Sequence, residues 1–168
     1  MRQERATGTG DGVDVIVGQW AVERPDLEAL PMEVFGRIYR IARLMGDRVE
    51  RAYAPFGIGR GEFDVLATLR RAGEPYTLSP SQLSATLMLT TGGMTGRLDK
   101  LERAELVQRI PDPTDRRALR AQLTAKGRQV VDEAVTAGLA EQAAALNQLP
   151  AAQRTQLAGL LRTLLAAC

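Results

Sequence analysis

Apolar residues recur at intervals of three and four through most of this chain, and the pattern breaks where Pro and Gly cluster. Over 31–54, Val34, Ile38, Ile41, Met45, Val49 and Ala52 form one stripe, while Glu33, Arg37, Arg40, Arg43, Asp47 and Glu50 take much of the other surface. This spacing predicts a long amphipathic helix that starts around Pro31 and stops at Pro55 and Gly57. Its stripe exceeds what one small lobe can cover, so a scaffold or dimer role is expected. A second helix is predicted over 61–72, with Phe63, Leu66 and Leu69 on one side and Gly73-Glu74-Pro75 after it. A third follows over 80–88 with Ser79 as its N-cap, and a fourth over 91–104. Residues 106–110 and 118–123 alternate weakly about Pro111-Asp112-Pro113-Thr114-Asp115, a turn-rich sequence, so they are predicted to form a hairpin.

Thr124 then caps a long helix carrying Val130, Val131, Ala134, Val135, Leu139 and Leu146. Pro150 separates it from a last helix with Leu157, Leu160, Leu161, Leu164 and Leu165. Together they read as an αα-hairpin with more apolar surface than a monomer can hide. At the other end, 13–22 is predicted as one or two helical turns carrying Trp20, and 1–12, rich in Gly, Thr and charge, as disordered. The expected fold is mainly α with a small β-hairpin wing. Its divisions are a tail over 1–12, N-terminal helices over 13–55, a lobe over 56–124 and C-terminal helices over 125–168.

Composition narrows the chemistry. A length of 168 residues fits one domain. The formal charge is only +2, yet from Arg97 to Arg128 nine Lys/Arg stand against five acids, a local excess suited to a polyanion or to a solvated face. Histidine is absent and Cys168 is the one cysteine, which excludes a His/Cys zinc site, a His-based triad and an internal disulfide. There is no Gly-rich phosphate loop after a strand and no activated nucleophile, so neither an enzyme nor a cofactor is expected. No apolar run nears the roughly 18–20 residues of a bilayer span, and the N-terminus lacks a secretory core, so no membrane partner and a cytoplasmic location are expected.

The segment from Ser79 to Thr124 holds the most specific pattern. On a wheel of about 100° per residue, Met94, Leu98 and Leu101 make a buried stripe, and Gly92, Gly96, Lys100 and Arg103 lie opposite, with Thr95 at one flank. Two glycines on an exposed helix face each cost about 1 kcal/mol relative to Ala, which makes sense where bare backbone must approach something closely. A DNA major groove fits that requirement. Thr90, Thr91 and Thr95 can bond phosphates or base edges, the N–H groups at the helix start favour a phosphate, and Lys100 and Arg103 can reach the backbone. Arg116 and Arg117 at the hairpin tip are placed for a minor groove, with Asp115 orienting Arg117. The opposing reading pairs both arginines with Asp112 and Asp115. A helix-turn-helix followed by an arginine-tipped hairpin is a winged arrangement.

Phe63-Asp64-Val65-Leu66-Ala67-Thr68-Leu69, Leu78-Ser79-Pro80-Ser81-Gln82-Leu83, Thr91-Gly92-Gly93-Met94-Thr95 with Arg97-Leu98, and Asp112-Pro113-Thr114-Asp115-Arg116-Arg117 running on to Leu123-Thr124 resemble the MarR family of bacterial transcription regulators. The likeness covers about 32–166. It implies a winged helix-turn-helix homodimer joined through its N- and C-terminal helices, and a double-stranded, pseudo-palindromic operator released when a small anionic or phenolic effector binds. Ser79, Ser81, Thr90, Thr91, Gly92, Thr95, Lys100, Arg103, Asp115, Arg116 and Arg117 are its expected DNA contacts. One departure is Glu105, where the family usually has a left-handed Gly after the recognition helix.

A narrower resemblance is to the urate-responsive subgroup, marked by an additional N-terminal helix. It implies that Trp20, Asp64, Arg97 and Arg109 bind urate or a related small anion in a cleft between the dimer helices and the lobe. Asp64 stands in an apolar stretch where a carboxylate wants a partner, and Arg97 lies about 60° from the centre of the buried stripe. An Asp–Arg pair there suits an anionic heterocycle or a plain salt bridge. Two other functions are carried forward: a redox-responsive regulator acting through Cys168, and an architectural DNA-binding protein without ligand control.

Overall fold

The computed structural model describes residues 10–115 and 117–168, Thr91 by its backbone alone. The expected disorder of the first residues and the expected contact of Arg116 therefore lie outside the described residues. Chain contacts divide the protein into two units, 1–47 and 48–168. The division falls inside a helix, because Val49 and Tyr53 at its end are buried in the core of the second unit.

In the first unit, α1 (Gly12–Glu23) is a full 12-residue helix, longer than the one or two turns expected. Asp11 caps it, accepting from Val13 N–H at 2.7 Å, while Asp14 accepts from Asp11 N–H at 2.6 Å. This reciprocal box satisfies two donors that the helix start leaves open. Arg37 of α2 (Leu30–Tyr53) then pairs with both carboxylates, at 2.9 Å to Asp11 and 2.6 Å to Asp14. Val13 packs against Gly36, where a Cβ would sit 3.1 Å from Val13 Cγ1.

The second unit starts with the end of α2 and a 3-10 turn, Ala54–Phe56, closed by Gly57 at φ +70°. There follow α3 (Arg60–Arg71), β1 (Thr77–Leu78), α4 (Pro80–Leu87), α5 (Thr91–Arg103), β2 (Val107–Pro111), β3 (Leu119–Leu123), α6 (Ala125–Leu146) and α7 (Ala151–Ala166). The predicted hairpin has a third strand. β3 is central, with β2 on one edge (Val107 opposite Leu123) and β1 on the other (Thr77 opposite Gln122), all antiparallel. Val107, Ala121 and Leu123 turn inward, as period-two alternation requires.

Leu66, Leu69 and Leu83 are fully buried, joined by Met94, Leu101 and Val131. α6 crosses this core at two close approaches: a Cβ on Gly127 would overlap Leu106 O at 1.9 Å, and one on Gly138 would meet Tyr53 OH at 2.7 Å. Tyr53 in turn stacks on Phe63 with centroids 4.3 Å apart. α7 buries none of its residues, and Leu139, Leu160, Leu161 and Leu165 are exposed, as their excess of apolar positions foretold. Among the described residues no helix is long and apolar enough to cross a membrane.

Candidate nucleic-acid interface and effector site

Ser79 opens α4 with a capping box, its Oγ accepting from Gln82 N–H at 3.2 Å and Gln82 Oε1 accepting from Ser79 N–H at 2.9 Å. Ser81 Oγ lies 2.8 Å from Ser79 Oγ, so both hydroxyls sit at this helix start. Between α4 and α5 the chain reverses at Met88, whose φ of +51° is left-handed and whose side chain is almost wholly exposed. Thr90 then caps α5, accepting from Gly93 N–H at 3.3 Å.

The faces of α5 divide as its sequence predicts. Met94, Leu98 and Leu101 are buried, and a Cβ added to Gly92 or Gly96 would meet nothing within 4 Å. The backbone is therefore bare on the side away from the core. Thr95 is exposed on the same helix. Both flanks are occupied. On one, Arg97 Nη1 donates to Gly61 O at 3.3 Å and Lys100 Nζ lies 3.1 Å from Glu62 Oε1, so both long cations reach the first turn of α3. On the other, Arg109 of β2 bonds Asp99 and lies 3.0 Å from Glu102 Oε2. Arg103 Nε turns back to Asp99 O at 3.2 Å.

Several expected roles change with this geometry. Lys100 pairs with Glu62 of α3 while its side chain stays half exposed. Arg109 pairs with two carboxylates of α5, Asp99 and Glu102. The expected Asp64–Arg97 pair is not closed: Arg97 bonds the Gly61 carbonyl, and among the described residues Asp64 forms no salt bridge. Burial pushes the Asp64 carboxyl above its ordinary range, against the pull of Arg60, Arg97 and Arg71 nearby. Asp64 and Arg97 thus share a neighbourhood without neutralising each other. Trp20 belongs to the first unit, where it is half exposed beside a recess of about 390 Å³ lined also by Arg24, Leu27 and Met32.

The hairpin tip is built on Asp112, which is nearly buried. Its Oδ1 accepts from Thr114 N–H at 2.8 Å and Thr114 Oγ1 at 2.7 Å, and its Oδ2 accepts from Arg120 Nε at 2.6 Å. Asp112 therefore pairs across the strands with Arg120, so the expected alternative partner, Arg117, is not its ion pair. Asp115 bonds Arg117 at the backbone, Oδ1 accepting from Arg117 N–H at 2.9 Å, a contact that does not hold the guanidinium. Arg117 is exposed. After α5 the left-handed position falls on Glu105 as expected, with φ +61°. Leu106 N–H closes that turn on Leu101 O at 3.0 Å.

Sequence reasoning missed Glu62, Glu50 and Arg120. Gly59-x-x-Glu62 has the spacing of a capping box, and Asp112-Pro-Thr that of an Asx turn, so both carried a readable signal. Among the described residues no group of three or more His, Cys, Asp or Glu side chains could hold a metal ion.

Two helices joined by a tight turn, the second with Gly92 and Gly96 facing outward, and a three-stranded sheet extended into a hairpin define a winged helix-turn-helix protein. The MarR family model matches residues 56–118. The chain is 38% identical over 149 residues, 89% of its length and 90% of the relative's, to the HTH-type transcriptional regulator PecS of Dickeya dadantii. This chain belongs to the MarR family of transcriptional regulators. Its fold is similar to apo MarR of Escherichia coli, with a TM-score of 0.68 at 26% identity over 77% of this chain and 95% of that one. It is also similar to a MarR mutant of the same organism complexed with operator DNA, with a TM-score of 0.68 at 24% identity over 81% and 94% of the two chains. The relatives are transcriptional regulators rather than enzymes.

Proposed function

We propose that this chain is a homodimeric repressor that reads a pseudo-palindromic operator with α5 and the wing, and releases it when a small anion such as urate binds. The observation that carries the DNA reading is the bare Gly92/Gly96 face of α5, held between two occupied flanks. The Thr90 cap and the Ser79 and Ser81 hydroxyls stand at helix starts, where free N–H groups favour phosphate. Arg117 on the wing suits a minor groove. The exposed leucines of α6 and α7 are what a second copy would cover, and two recognition helices in a dimer read half-sites about one helical turn apart.

Asp64 and Arg97 form the core of the proposed effector site. An anion with an N–H donor can satisfy both, taking the guanidinium off Gly61 O and donating to the carboxylate that burial leaves at a raised pKa. Arg109 joins only by giving up Asp99 or Glu102. A ligand that recruits both arginines therefore loosens both flanks of α5. The test is a titration of urate against a duplex bound by the wild-type chain, repeated with Arg97→Gln and Asp64→Asn. Release by urate that both variants abolish supports the reading. Release that survives in both, or no release in the wild type, sinks the effector site, and loss of sequence preference in the duplex sinks the operator.

A further inference from the structure

Lys100 sits where a recognition helix would offer a cation to phosphate, yet its ammonium is paired with a carboxylate of α3 while its side chain stays half exposed. Nζ lies 3.1 Å from Glu62 Oε1, and the Glu62 side chain is only 14% exposed. The other oxygen of the same carboxylate accepts from Gly59 N–H at 2.9 Å, which caps α3. From the end of α2, Glu50 Oε2 accepts from Arg60 N–H at 2.9 Å. Two carboxylates thus close on one helix start, where the helix dipole favours negative charge. They close because residue 59 has no side chain: a Cβ there would lie 2.8 Å from Glu50 Oε1 and 2.9 Å from Glu62 Oε2. Burial works against ionisation of Glu62, but the Gly59 N–H and Lys100 outweigh it and hold its carboxyl below its usual range. Glu62 is consequently a fixed anion on a fixed helix end.

We infer that Glu62 is a positioning residue for α5, and that Lys100 serves as a strut from the recognition helix to the start of α3 rather than as a phosphate contact. The strut acts beside the Arg97–Gly61 bond, one turn of α5 earlier, so the two together fix how far α5 rolls about its axis. That roll decides where Gly92 and Gly96 face. Arg109 fixes the opposite flank through Asp99 and Glu102. Glu62 thereby sets sequence-specific binding without touching nucleic acid. The inference rests on α5 being the DNA-reading helix.

The two roles of Lys100 predict opposite signs for one substitution. Glu62→Gln keeps an oxygen for the Gly59 N–H, and Gln is a capping-box residue, so α3 retains its cap while the strut loses its charge. The full-length chain is used with a duplex that the wild type selects from a random pool, and with a scrambled duplex as control. Affinities are measured across a salt series. As a strut, Glu62→Gln and Lys100→Gln each weaken the selected duplex by roughly threefold, the scale of one partly exposed ion pair. The salt slope and the scrambled duplex stay unchanged, and the double variant is no weaker than either single one. A phosphate contact predicts otherwise. Glu62→Gln would then free the cation and tighten both duplexes, and Lys100→Gln would weaken both alike and shrink the salt slope by about one. Either of those results overturns the inference. Failure of the wild type to enrich any duplex overturns the DNA reading itself, which the selection step reports separately.

Discussion

Arg120 Nε donates to Asp112 Oδ2 at 2.6 Å, joining the residue after β2 to the start of β3. Asp112 is held ionised first by the Thr114 hydroxyl, then by Arg120 and the Thr114 N–H, against a smaller cost of burial, so its pKa lies well below the ordinary carboxylate range. A depressed folded-state pKa contributes stability that is present above the unfolded value, near 3.9, and lost as pH falls below it. Wild-type stability should therefore decline on acidification below about pH 4, and Asp112→Asn should flatten that decline. Thermal melts of both proteins across acidic pH test this. Equal slopes would remove Asp112 as the cause.

Gly96→Ala separates folding from function. Nothing lies within 4 Å of the added methyl, so the helix gains up to about 1 kcal/mol of propensity. The same methyl stands on the face proposed to enter a groove. Urea denaturation should show higher stability, and a duplex titration should show weaker binding. A variant that is stabilised and binds as well as the wild type would deny that this face approaches DNA.

Gly127→Ala should behave in the opposite way. Its Cβ would overlap the carbonyl oxygen of Leu106 at 1.9 Å, and backbone cannot swing aside as a side-chain tip can. The cost expected is about 3 kcal/mol, at the upper end for overpacking. A midpoint of denaturation within error of the wild type would show that the α6 start can move away from β2.

Asp64 should show a pH dependence of the other sign. Burial raises its folded-state pKa above the unfolded value, so the folded protein holds its proton more tightly. Stability from this group falls as pH rises through the window between the two values, and its charged form is a cost at neutral pH. Asp64→Asn should raise the melting temperature at neutral pH and leave it little changed in strong acid. A lower melting temperature at pH 7 would mean that the carboxylate has a stabilising partner in solution.

Much of this was legible in the residues. Met94, Leu98 and Leu101 mark the buried side of α5 by period alone, and Ser79 and Thr124 are caps whose hydroxyls stand just before helical runs. β1 was not legible: two residues, Thr77 and Leu78, are too few to express an alternation, and their pairing is decided by Gln122 and Ala121 far along the chain. α1 was underestimated because its apolar residues, Val13, Val15, Ile16 and Val22, form no clean stripe. The Asp11–Asp14 capping box was the better sign. The partners of Lys100 and Arg109 were beyond the sequence for a different reason. Long side chains choose among several carboxylates only after the helices are placed, and Glu62, Asp99 and Glu102 are equally plausible on a wheel.

The exit of α5 is anchored on the start of α6. Lys126 Nζ donates to Ala104 O at 2.9 Å, and Thr124 Oγ1 donates to Glu105 O at 2.8 Å. Thr124 N–H donates to Leu106 O at 3.1 Å. The last turn of α5 and the first turn of α6 form one joint, tightened by the missing side chain at Gly127. α6 is 22 residues long, an arm of about 33 Å. A tilt of about 5° at the joint displaces its far end by about 3 Å, by the geometry of a straight helix of that length. The arm also works in reverse, so a small displacement held at Leu139 or Leu146 is returned as an angle at the helix proposed to face DNA.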